Sequence, residues 1–485
     1  MSSRSLPVFP ISPAPVRPGV ASDVVAARHD FEPAGDARGV RVALITLGCD
    51  KNTVDSERLL ATLVGQGARI TPEVEGADVV IVNTCGFIQE AKEQSIETIL
   101  EACDAKAKRG GPSAVVAVGC LVERHGSELA AEIPEVDLYL GLSELPRLVP
   151  ELRRRGYLAE PDETVPLMER PLRILSTATP HTSYLKISEG CDHTCAFCAI
   201  PLMRGLHRSH PVEELVREAA GLGAAGVKEL NVVSQDTTWY GRDLRRRDGA
   251  APLLPDLLRG LLAGTDIPWY RLFYMYPSGI TRDVVELMAS EPRILPYLDM
   301  PLQHGSDRIL ELMRRPERRA TILEKVAWLR DAVPDLTLRT TVIVGFPGET
   351  DEDFRELLDL IDGVGFDRVG AFAYSLEEGT RAAALPGQVP ESLARERLEE
   401  LMEAQRLVSF EKNEAAVGRV LEALVDEVVE GDGEYVAVAR TRGQALDIDG
   451  VTHLRGPTDV DPGSFVDVHI VDALDYDLVA EIRTA

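Results

Sequence analysis

The sequence lacks any membrane-type segment and any export signal. Among its 485 residues, no stretch reaches the roughly 18 consecutive apolar residues that a membrane-spanning helix needs. The stretch from Met1 to Gly39 contains six prolines and scattered charges, where an export signal would have an apolar core. We therefore interpret residues 1–39 as a disordered tail and expect the protein to act in the cytoplasm, away from membranes.

Basic residues are scarce. The chain has 52 lysines and arginines against 79 aspartates and glutamates, so its formal net charge is −27. This charge disfavours binding to bare nucleic acid and favours a basic partner, although an acidic surface can also serve solubility alone. Hydrophobic residues still make up 45% of the chain, enough for folded cores, and the length predicts about three domains.

Cysteines are few, odd in number and not spaced like a disulfide scaffold. In a reducing compartment such cysteines are more often metal ligands or redox groups than disulfide partners. The seven are Cys49, Cys85, Cys103, Cys120, Cys191, Cys195 and Cys198. Cys103 falls within a helix-like stretch and is interpreted as structural, which leaves two groups of three.

Each cysteine of the first group ends an apolar, β-branched run. The runs are Arg41–Cys49, Asp78–Cys85 and Ala114–Cys120. Helix-like stretches separate them: Ser56–Gly67, with Asp55 as candidate N-cap, and Gln89–Lys106. Buried runs that alternate with helices indicate a parallel sheet, and ligands of such sheets lie outside the carboxyl ends of the strands. We therefore expect the thiolates of Cys49, Cys85 and Cys120 to meet there.

The middle of the chain alternates in the same way. Six strand–helix units predict an incomplete barrel of the TIM type, since a closed barrel would need about two more units. The predicted strands are Tyr184–Gly190, Val227–Gln235, Trp269–Tyr276, Tyr297–Gln303, Thr337–Gly345 and Arg368–Ser375. The predicted helices are Val212–Leu222, Leu253–Leu262, Arg282–Ser290, Asp307–Arg314, Ala320–Ala332 and Asp351–Ile361.

The last part of the chain changes character after a long polar helix near Pro390–Glu414. Five β-rich stretches broken by Gly, Pro and Asp predict a small five-stranded β-barrel. These stretches are Glu422–Glu430, Tyr435–Arg440, Val451–Leu454, Phe465–Val471 and Leu478–Ile482. The predicted class is thus α/β, with an N-terminal domain at 40–155, a linker at 156–177, a (β/α)6 barrel at 178–408 and a β-barrel at 415–485.

The sharpest motif follows the first predicted barrel strand. Cys191, Cys195 and Cys198 have the spacing C-x3-C-x2-C, which can hold three irons of a [4Fe–4S] cluster on one loop. The fourth iron then lacks a protein ligand and can bind a substrate, for which S-adenosylmethionine is the natural candidate. The alternative is a zinc site completed by a fourth ligand such as His193.

This loop resembles the signature of the radical S-adenosylmethionine superfamily, and the chain from about Val40 onward resembles its methylthiotransferases. The matching N-terminal stretches are Leu47–Leu60, Asn83–Ser95 and Val118–Cys120, and the matching barrel stretches are Ser188–Gly205, Ser234–Asp243, Leu298–Asp307 and Gly345–Thr350. The resemblance implies a C-terminal TRAM barrel. It also implies that Cys49, Cys85 and Cys120 bind a second [4Fe–4S] cluster, likewise one ligand short.

The resemblance further implies a reaction that uses two S-adenosylmethionine molecules. One methylates a sulfur held on the second cluster, and the other is cleaved to a 5′-deoxyadenosyl radical that activates a C–H bond of the target. An electron donor and a sulfur donor are required, and the sequence identifies neither. A non-enzymatic protein with structural metal sites is the alternative, but such sites would need four ligands each.

Several further residues follow predicted strands on the same face. Phe197 stands where the superfamily has an aromatic near the adenine, with core packing as the alternative. Gln235, Asp236 and Gln303 are candidates for contacts to the cofactor, with loop capping as the alternative for the first two. His304 is expected to be a positioned hydrogen-bond donor.

Two branches of the family share this plan, one acting on an adenosine of transfer RNA and the other on an aspartate of ribosomal protein S12. The stretches around Cys49 and Cys85 resemble the second branch. The region Ala416–Ala485 has five basic and 15 acidic residues, a net charge of −10. Such a barrel is not expected to bind nucleic acid directly and suits a basic ribosomal protein. Candidate docking residues are Asp467, Asp472, Asp475 and Asp477, with a solvated acidic surface as the alternative.

Overall fold

The computed structural model describes residues 39–158, 172–176, 179–429, 433–456 and 459–483. Within these ranges the chain forms two compact units. The N-terminal unit runs to Asp192 and also includes Ala199–His207, and the C-terminal unit comprises His193–Cys198 and the chain from Arg208 onward. The predicted tail, apart from Gly39, and most of the predicted linker lie outside the described residues.

A five-stranded parallel sheet forms the centre of the N-terminal unit, with the strand order β2-β1-β3-β4-β5. The strands are β1 Arg41–Thr46, β2 Arg69–Ile70, β3 Val79–Thr84, β4 Ala114–Gly119 and β5 Leu138–Leu140, and later in the chain come β6 Thr182–Lys186 and β7 Ser188–Glu189. Every residue of β3 and β4 is buried. Alternate residues enter two separate cores: Val80 and Val82 lie in one, and Val79 and Ile81 in the other. The sheet is therefore covered on both faces, as parallel sheets require.

Helices connect these strands. They are α1 Asp50–Val64, α2 Gln89–Ala107, α3 Cys120–Glu132, α4 Leu148–Arg154 and α5 Ile200–Arg204, with a 3₁₀ turn at Leu142–Arg147. The prediction for α2 is confirmed. The predicted start of α1 is wrong, because the helix begins at Asp50 with Cys49 at its N-cap, and Asp55 lies inside it. Gly48, with φ +91°, turns the chain directly from the strand into the helix.

The C-terminal unit begins with the short strand β8 Arg208–Ser209 and contains a parallel sheet in the order β13-β12-β11-β10-β9. Its strands are β9 Glu229–Val233, β10 Trp269–Leu272, β11 Ile294–Asp299, β12 Thr337–Val344 and β13 Arg368–Ala373. All six predicted barrel strands are present, the first of them as β6 in the N-terminal unit. The incomplete (β/α)6 architecture predicted from the sequence is thus confirmed.

The helices of this unit agree with the prediction to within a few residues, except that the short helix at Arg242–Asp248 was not predicted. They are α6 Val212–Ala224, α7 Arg242–Asp248, α8 Leu254–Gly264, α9 Arg282–Ser290, α10 Asp307–Leu312, α11 Arg319–Ala332, α12 Asp351–Val364 and α13 Glu391–Glu414, with 3₁₀ turns at Thr237–Trp239, Pro277–Gly279 and Ala382–Ala384. None of the helices in the described ranges combines the length and apolarity needed to cross a membrane.

The chain ends in a closed five-stranded barrel, which confirms the last part of the predicted fold. Its strands are β14 Val420–Val428, β15 Ala437–Thr441, β16 Thr452–Arg455, β17 Phe465–Ala473 and β18 Leu478–Ile482. A buried charge cluster joins this barrel to the parallel sheet, because Glu229 of β9 pairs with both Arg271 of β10 and Arg440 of β15. All three side chains are fully buried, and so the carboxylate needs both cations to offset its lost hydration.

Candidate metal centres

Three cysteines lie at the carboxyl edge of the N-terminal sheet, and we call them the strand-end triad. Cys85 directly follows β3, Cys120 directly follows β4, and Cys49 lies three residues beyond β1. Their thiols are close enough to influence one another electrostatically, since Cys49 and Cys120 both act on the pKa of Cys85. The structure thus brings together the three cysteines that the strand pattern predicted to meet.

Two glycines make this close approach feasible. Gly48 precedes Cys49 with φ +91°, and a Cβ there would lie 2.8 Å from the Cys85 Sγ atom. Gly119 precedes Cys120 with φ +103°, and its Cβ would lie 2.5 Å from the Asn83 Oδ1 atom. Larger residues at these positions would be strained and would push the strand ends apart. The glycines therefore belong to the site although they carry no chemistry.

Asn52 connects the triad to its surroundings. The buried amide donates from Nδ2 to the carbonyls of Leu47 at 2.8 Å and Thr84 at 3.0 Å, which ties together the ends of β1 and β3. Its Oδ1 accepts a hydrogen bond from the Arg204 Nη2 at 2.6 Å and lies 3.7 Å from the Cys120 Sγ. Sequence reasoning missed both side chains, although each lies inside a stretch that carries the family resemblance.

The donor set fits an iron–sulfur cluster. All seven cysteines are free thiols. Burial, reinforced by Cys49 and Cys120, raises the pKa of the Cys85 thiol to about 12, and burial raises that of Cys120 to about 11 against the opposing charge of Arg204. Buried thiols of this kind are stable as thiolates only when a cation replaces their protons, which iron does.

The binding of a single metal ion would require a tighter group of ligands than the binding of a cluster. Within the described ranges, no three His, Cys, Asp or Glu side chains are grouped tightly enough to hold a single metal ion. A [4Fe–4S] cluster does not need such a group, because each of its cysteines binds a different iron. Three separate thiols at the strand ends are therefore compatible with a cluster.

The second group, Cys191, Cys195 and Cys198, lies on one loop, and we call it the loop triad. The division between the two units falls within this loop. In the N-terminal unit the Cys191 N–H donates to the Gly205 carbonyl at 3.0 Å. In the C-terminal unit Ala196 is held from both sides, because its N–H donates to Met313 and its carbonyl accepts from Ala382, each at 2.9 Å.

An aromatic stack supports the loop beside Cys195. The His193 ring lies parallel to that of Tyr276 with centroids 4.1 Å apart, and its edge meets Trp239 at 4.9 Å. The Arg315 guanidinium lies over the Tyr276 ring, 3.7 Å from its centroid, and the Arg315 Nη1 atom lies 3.9 Å from the Cys195 Sγ. The stack supports the loop and places a cation beside the Cys195 sulfur.

Asp236 holds this stack in place. Its Oδ2 pairs with the His193 Nε2 at 2.6 Å, and its Oδ1 accepts from the Thr238 N–H and hydroxyl at 2.9 and 2.6 Å. The loop-capping alternative for Asp236 therefore describes its contacts well. His193 is thus held by a carboxylate at this nitrogen.

The other predicted side chains have less distinctive surroundings. Phe197 packs against the apolar cluster around Ile309 and Phe346, in agreement with its packing alternative. Gln235 is half-buried just beyond β9. Gln303 adopts φ +78°, and its backbone pairs with β12 through Thr341. A role for these residues toward the cofactor stays a prediction.

His304 is a positioned hydrogen-bonding residue, as expected. It is fully buried, and its Nδ1 accepts from the Ser306 N–H at 3.0 Å, which leaves Nε2 to donate to Glu349 at 3.2 Å. Glu349 also accepts from the Arg397 guanidinium at 2.7 Å. The histidine thereby links the end of β11 to the loop that follows β12.

The four candidate docking aspartates differ in their exposure and in the contacts that their carboxylates already make. Asp467 and Asp472 are exposed on β17. Asp475 is exposed but pairs with Arg406 at 3.0 Å. Asp477 accepts from the Val451 N–H at 2.8 Å and therefore supports the barrel itself. The first two are the better candidates for contact with a basic partner, and this too stays a prediction.

Three family models match successive parts of the chain. They are the uncharacterized protein family UPF0004 at residues 41–141, the radical SAM superfamily at residues 185–361 and the TRAM domain at residues 417–482. The first contains the strand-end triad, and the second contains the loop triad.

Curated relatives match over almost the whole chain. A protein of Symbiobacterium thermophilum named ribosomal protein uS12 methylthiotransferase RimO is 46% identical over 455 residues, which cover 92% of this chain and 91% of the relative. A protein of the same name from Desulforudis audaxviator is 46% identical over 449 residues, or 92% of this chain and 98% of the relative.

Among solved structures, the radical S-adenosylmethionine methyltransferase TsrM from Kitasatospora setae, with cobalamin and a [4Fe-4S] cluster bound, is 14% identical with a TM-score of 0.47. The match covers 69% of this chain and 72% of that one.

Proposed function

Because the chain belongs to the ribosomal protein uS12 methylthiotransferase family of radical S-adenosylmethionine enzymes, we propose that it adds a methylthio group to the β-carbon of an aspartate in ribosomal protein S12. The observation that carries this proposal is the presence of two cysteine triads with free thiols, one on a loop and one at the ends of three parallel strands. Each triad can bind three irons of a [4Fe–4S] cluster and leave the fourth open.

When bound, the loop cluster would cleave S-adenosylmethionine to the radical that activates the target C–H bond, and the strand-end cluster would hold the sulfur that a second S-adenosylmethionine methylates. Around the loop, Asp236 holds His193, and Arg315 lies beside Cys195. Around the strand ends, Asn52 fixes the two loops that carry Cys49 and Cys85. These residues position ligands and keep water from the sulfur atoms.

The charge of the C-terminal barrel supports a protein target. A surface that binds RNA phosphates is expected to be basic, whereas this barrel carries 15 acidic residues against five basic ones. Ribosomal proteins bind RNA and are basic, so the exposed Asp467 and Asp472 offer complementary charge.

Anaerobic turnover tests the proposed reaction. Reconstituted protein is incubated with S-adenosylmethionine, a reductant and a peptide from the aspartate-containing loop of ribosomal protein S12. We expect the peptide to gain about 46 Da, from CH3S replacing H, together with 5′-deoxyadenosine and S-adenosylhomocysteine as the two cofactor products. Both the mass gain and the 5′-deoxyadenosine should disappear in Cys198→Ala.

Two other outcomes would count against the proposal. Formation of 5′-deoxyadenosine with an unchanged peptide, together with modification of transfer RNA by the same preparation, would retain the radical chemistry but replace the target. Absence of 5′-deoxyadenosine from protein that contains both clusters would contradict the reaction itself.

A second experiment tests the docking surface. The Asp467→Asn/Asp472→Asn variant should raise the KM for the ribosomal protein several-fold at low salt and leave kcat unchanged, because rim charges act mainly on association. Asp475→Asn is the matched control, since its carboxylate is already paired with Arg406. Equal effects of both variants would argue for a purely solvated acidic surface.

A further inference from the structure

Helix α5 packs against the strand-end triad. In the sequence this short helix begins two residues after Cys198 and belongs to the same stretch as the loop triad. In the N-terminal unit, however, Ala199 and Met203 form one apolar cluster with Cys120. The last residue of the helix, Arg204, is therefore placed beside a cysteine of the other triad.

The Arg204 guanidinium is buried and engaged on both sides. Its Nη2 donates to Asn52 Oδ1 at 2.6 Å, and the same oxygen lies 3.7 Å from the Cys120 Sγ. Its Nη1 donates to Glu189 at 2.8 Å and to Asp55 at 3.1 Å. Only 4% of the residue is exposed, so its charge acts on its neighbours with little screening by water.

The ion pairs around Arg204 balance one another before any cluster is considered. Lys186 pairs with the same two carboxylates, Asp55 and Glu189. Two cations thus face two anions, so these four side chains have no net charge among themselves.

A bound cluster changes this balance. Three thiolates at the triad bring negative charge to a buried place, and Arg204 is linked to the Cys120 thiol through the Asn52 Oδ1 atom. A buried negative charge without a nearby cation is costly. The reduction potential of a cluster depends on its net charge and on the hydrogen bonds around its sulfurs.

We propose that Arg204 is a positioning residue of the strand-end triad, which offsets the negative charge of the thiolate-bound cluster and thereby sets its reduction potential and its retention. This inference rests on the proposed function, because it presupposes a cluster on Cys49, Cys85 and Cys120. Lys186 pairs with the same carboxylates, and it serves as the matched control for loss of one buried positive charge.

The experiment uses the full chain with the loop triad removed by Cys191→Ala, Cys195→Ala and Cys198→Ala, so that iron can report on the strand-end triad alone. Into this parent we introduce Arg204→Gln, Arg204→Lys or Lys186→Gln. After anaerobic reconstitution we measure iron and sulfide per chain, and the midpoint potential by redox titration followed by electron paramagnetic resonance. Circular dichroism of the cluster-free proteins checks that each variant is folded.

The expected result is a shift of the midpoint potential to more negative values in Arg204→Gln, because the reduced cluster loses its compensating charge. Arg204→Lys should keep the midpoint potential close to that of the parent, and Lys186→Gln should lower the potential less than Arg204→Gln does. Loss of iron in folded Arg204→Gln with retention in Arg204→Lys would support the same conclusion.

Equal potentials and equal iron content in the parent and in Arg204→Gln would overturn the inference. So would equal losses in Arg204→Gln and Arg204→Lys, since a residue that acts through charge tolerates lysine. A parent that takes up no iron would instead contradict the second cluster, and with it the proposed function.

Discussion

The loop triad and the strand-end triad each bring three thiols together, but they do so in different ways. Cys191, Cys195 and Cys198 lie on one loop, so their spacing is set by a few backbone torsions. Cys49, Cys85 and Cys120 come from three strands and meet because β1, β3 and β4 pair in parallel register, with Thr46 opposite Asn83 and Thr84 opposite Gly119. The first site is a property of local sequence, and the second is a property of the sheet.

This difference appears again in what surrounds the sulfurs. The loop triad is supported by an aromatic stack of His193, Tyr276 and Trp239, whereas the strand-end triad is supported by the Asn52 amide and close-packed glycines. A buried arginine lies near a cysteine sulfur in each, Arg315 beside Cys195 and Arg204 near Cys120 through Asn52. Rings surround the single loop, whereas the converging strand ends require glycine at Gly48 and Gly119.

The largest expected effect separates the two triads by chemistry. Cys198→Ala and Cys120→Ala should each abolish methylthio transfer and each reduce bound iron from about eight to about four per chain. Only Cys120→Ala should retain formation of 5′-deoxyadenosine, because its loop triad is intact. The measurements are iron content and chromatography of the nucleoside product. Full iron content in Cys120→Ala would contradict the second cluster.

The next test compares thiol reactivity in cluster-free protein. The pKa of Cys85 is raised from 9 to about 12, so at pH 8 its thiolate fraction is about a thousandfold lower than that of an ordinary thiol. A raised thiol pKa means less thiolate at any given pH, so alkylation of Cys85 should accelerate about tenfold per pH unit up to pH 11. The half-buried cysteines of the loop triad should react first.

Peptide mapping by mass spectrometry after timed exposure to iodoacetamide measures this order. Urea-unfolded protein is the control, in which all seven cysteines should react at similar rates. Faster alkylation of Cys85 than of Cys191 in the folded chain would show that the strand-end triad is open to solvent.

A smaller effect tests the dependence of the strand-end triad on sheet geometry. Gly119→Ala combines a φ of +103° with a contact of 2.5 Å to the Asn83 Oδ1, and it should destabilise the fold by about 2–4 kcal/mol. Gly67→Ala is the matched control, because φ there is +85° with nothing within 4 Å, and it should cost about 1 kcal/mol.

Urea unfolding of cluster-free protein measures both variants. Iron bound at the strand-end triad should fall in Gly119→Ala, while 5′-deoxyadenosine formation at the loop triad should persist. Equal costs for the two glycines would mean that the strand ends can move apart without harm.

The smallest effect is expected at the support of the loop triad. Asp236→Asn keeps an acceptor for Thr238 but removes the charge that faces His193, so it should destabilise the cluster-free C-terminal unit by about 1 kcal/mol. Fluorescence of Trp239, which lies against His193, is a local probe of this change. Asp256→Asn, at an exposed position of α8, is the control and should have almost no effect, because its pair with Arg259 is exposed and an amide oxygen can still accept from the Leu253 N–H.

Much of this molecule could be predicted because its signals are local. The six barrel strands, the helices between them and the final β-barrel follow from runs of apolar and β-branched residues. The start of α1 could not be predicted in this way, since a turn at Gly48 makes Cys49 the N-cap, six residues before the capping signal at Asp55. Asp55 instead serves the buried charges around Arg204.

The amino-acid sequence by itself determined which cysteines form the two groups of three. The C-x3-C-x2-C spacing predicts three thiols on one loop. The alternation of strands and helices predicts three more at one edge of a parallel sheet. Only the tertiary structure decided which side chains support them. These supports join residues that are far apart in sequence: the Arg204–Asn52 contact, the His193 stack and the Glu229–Arg271–Arg440 cluster. Such contacts form only when packing excludes water, because buried charges and amides then need protein partners.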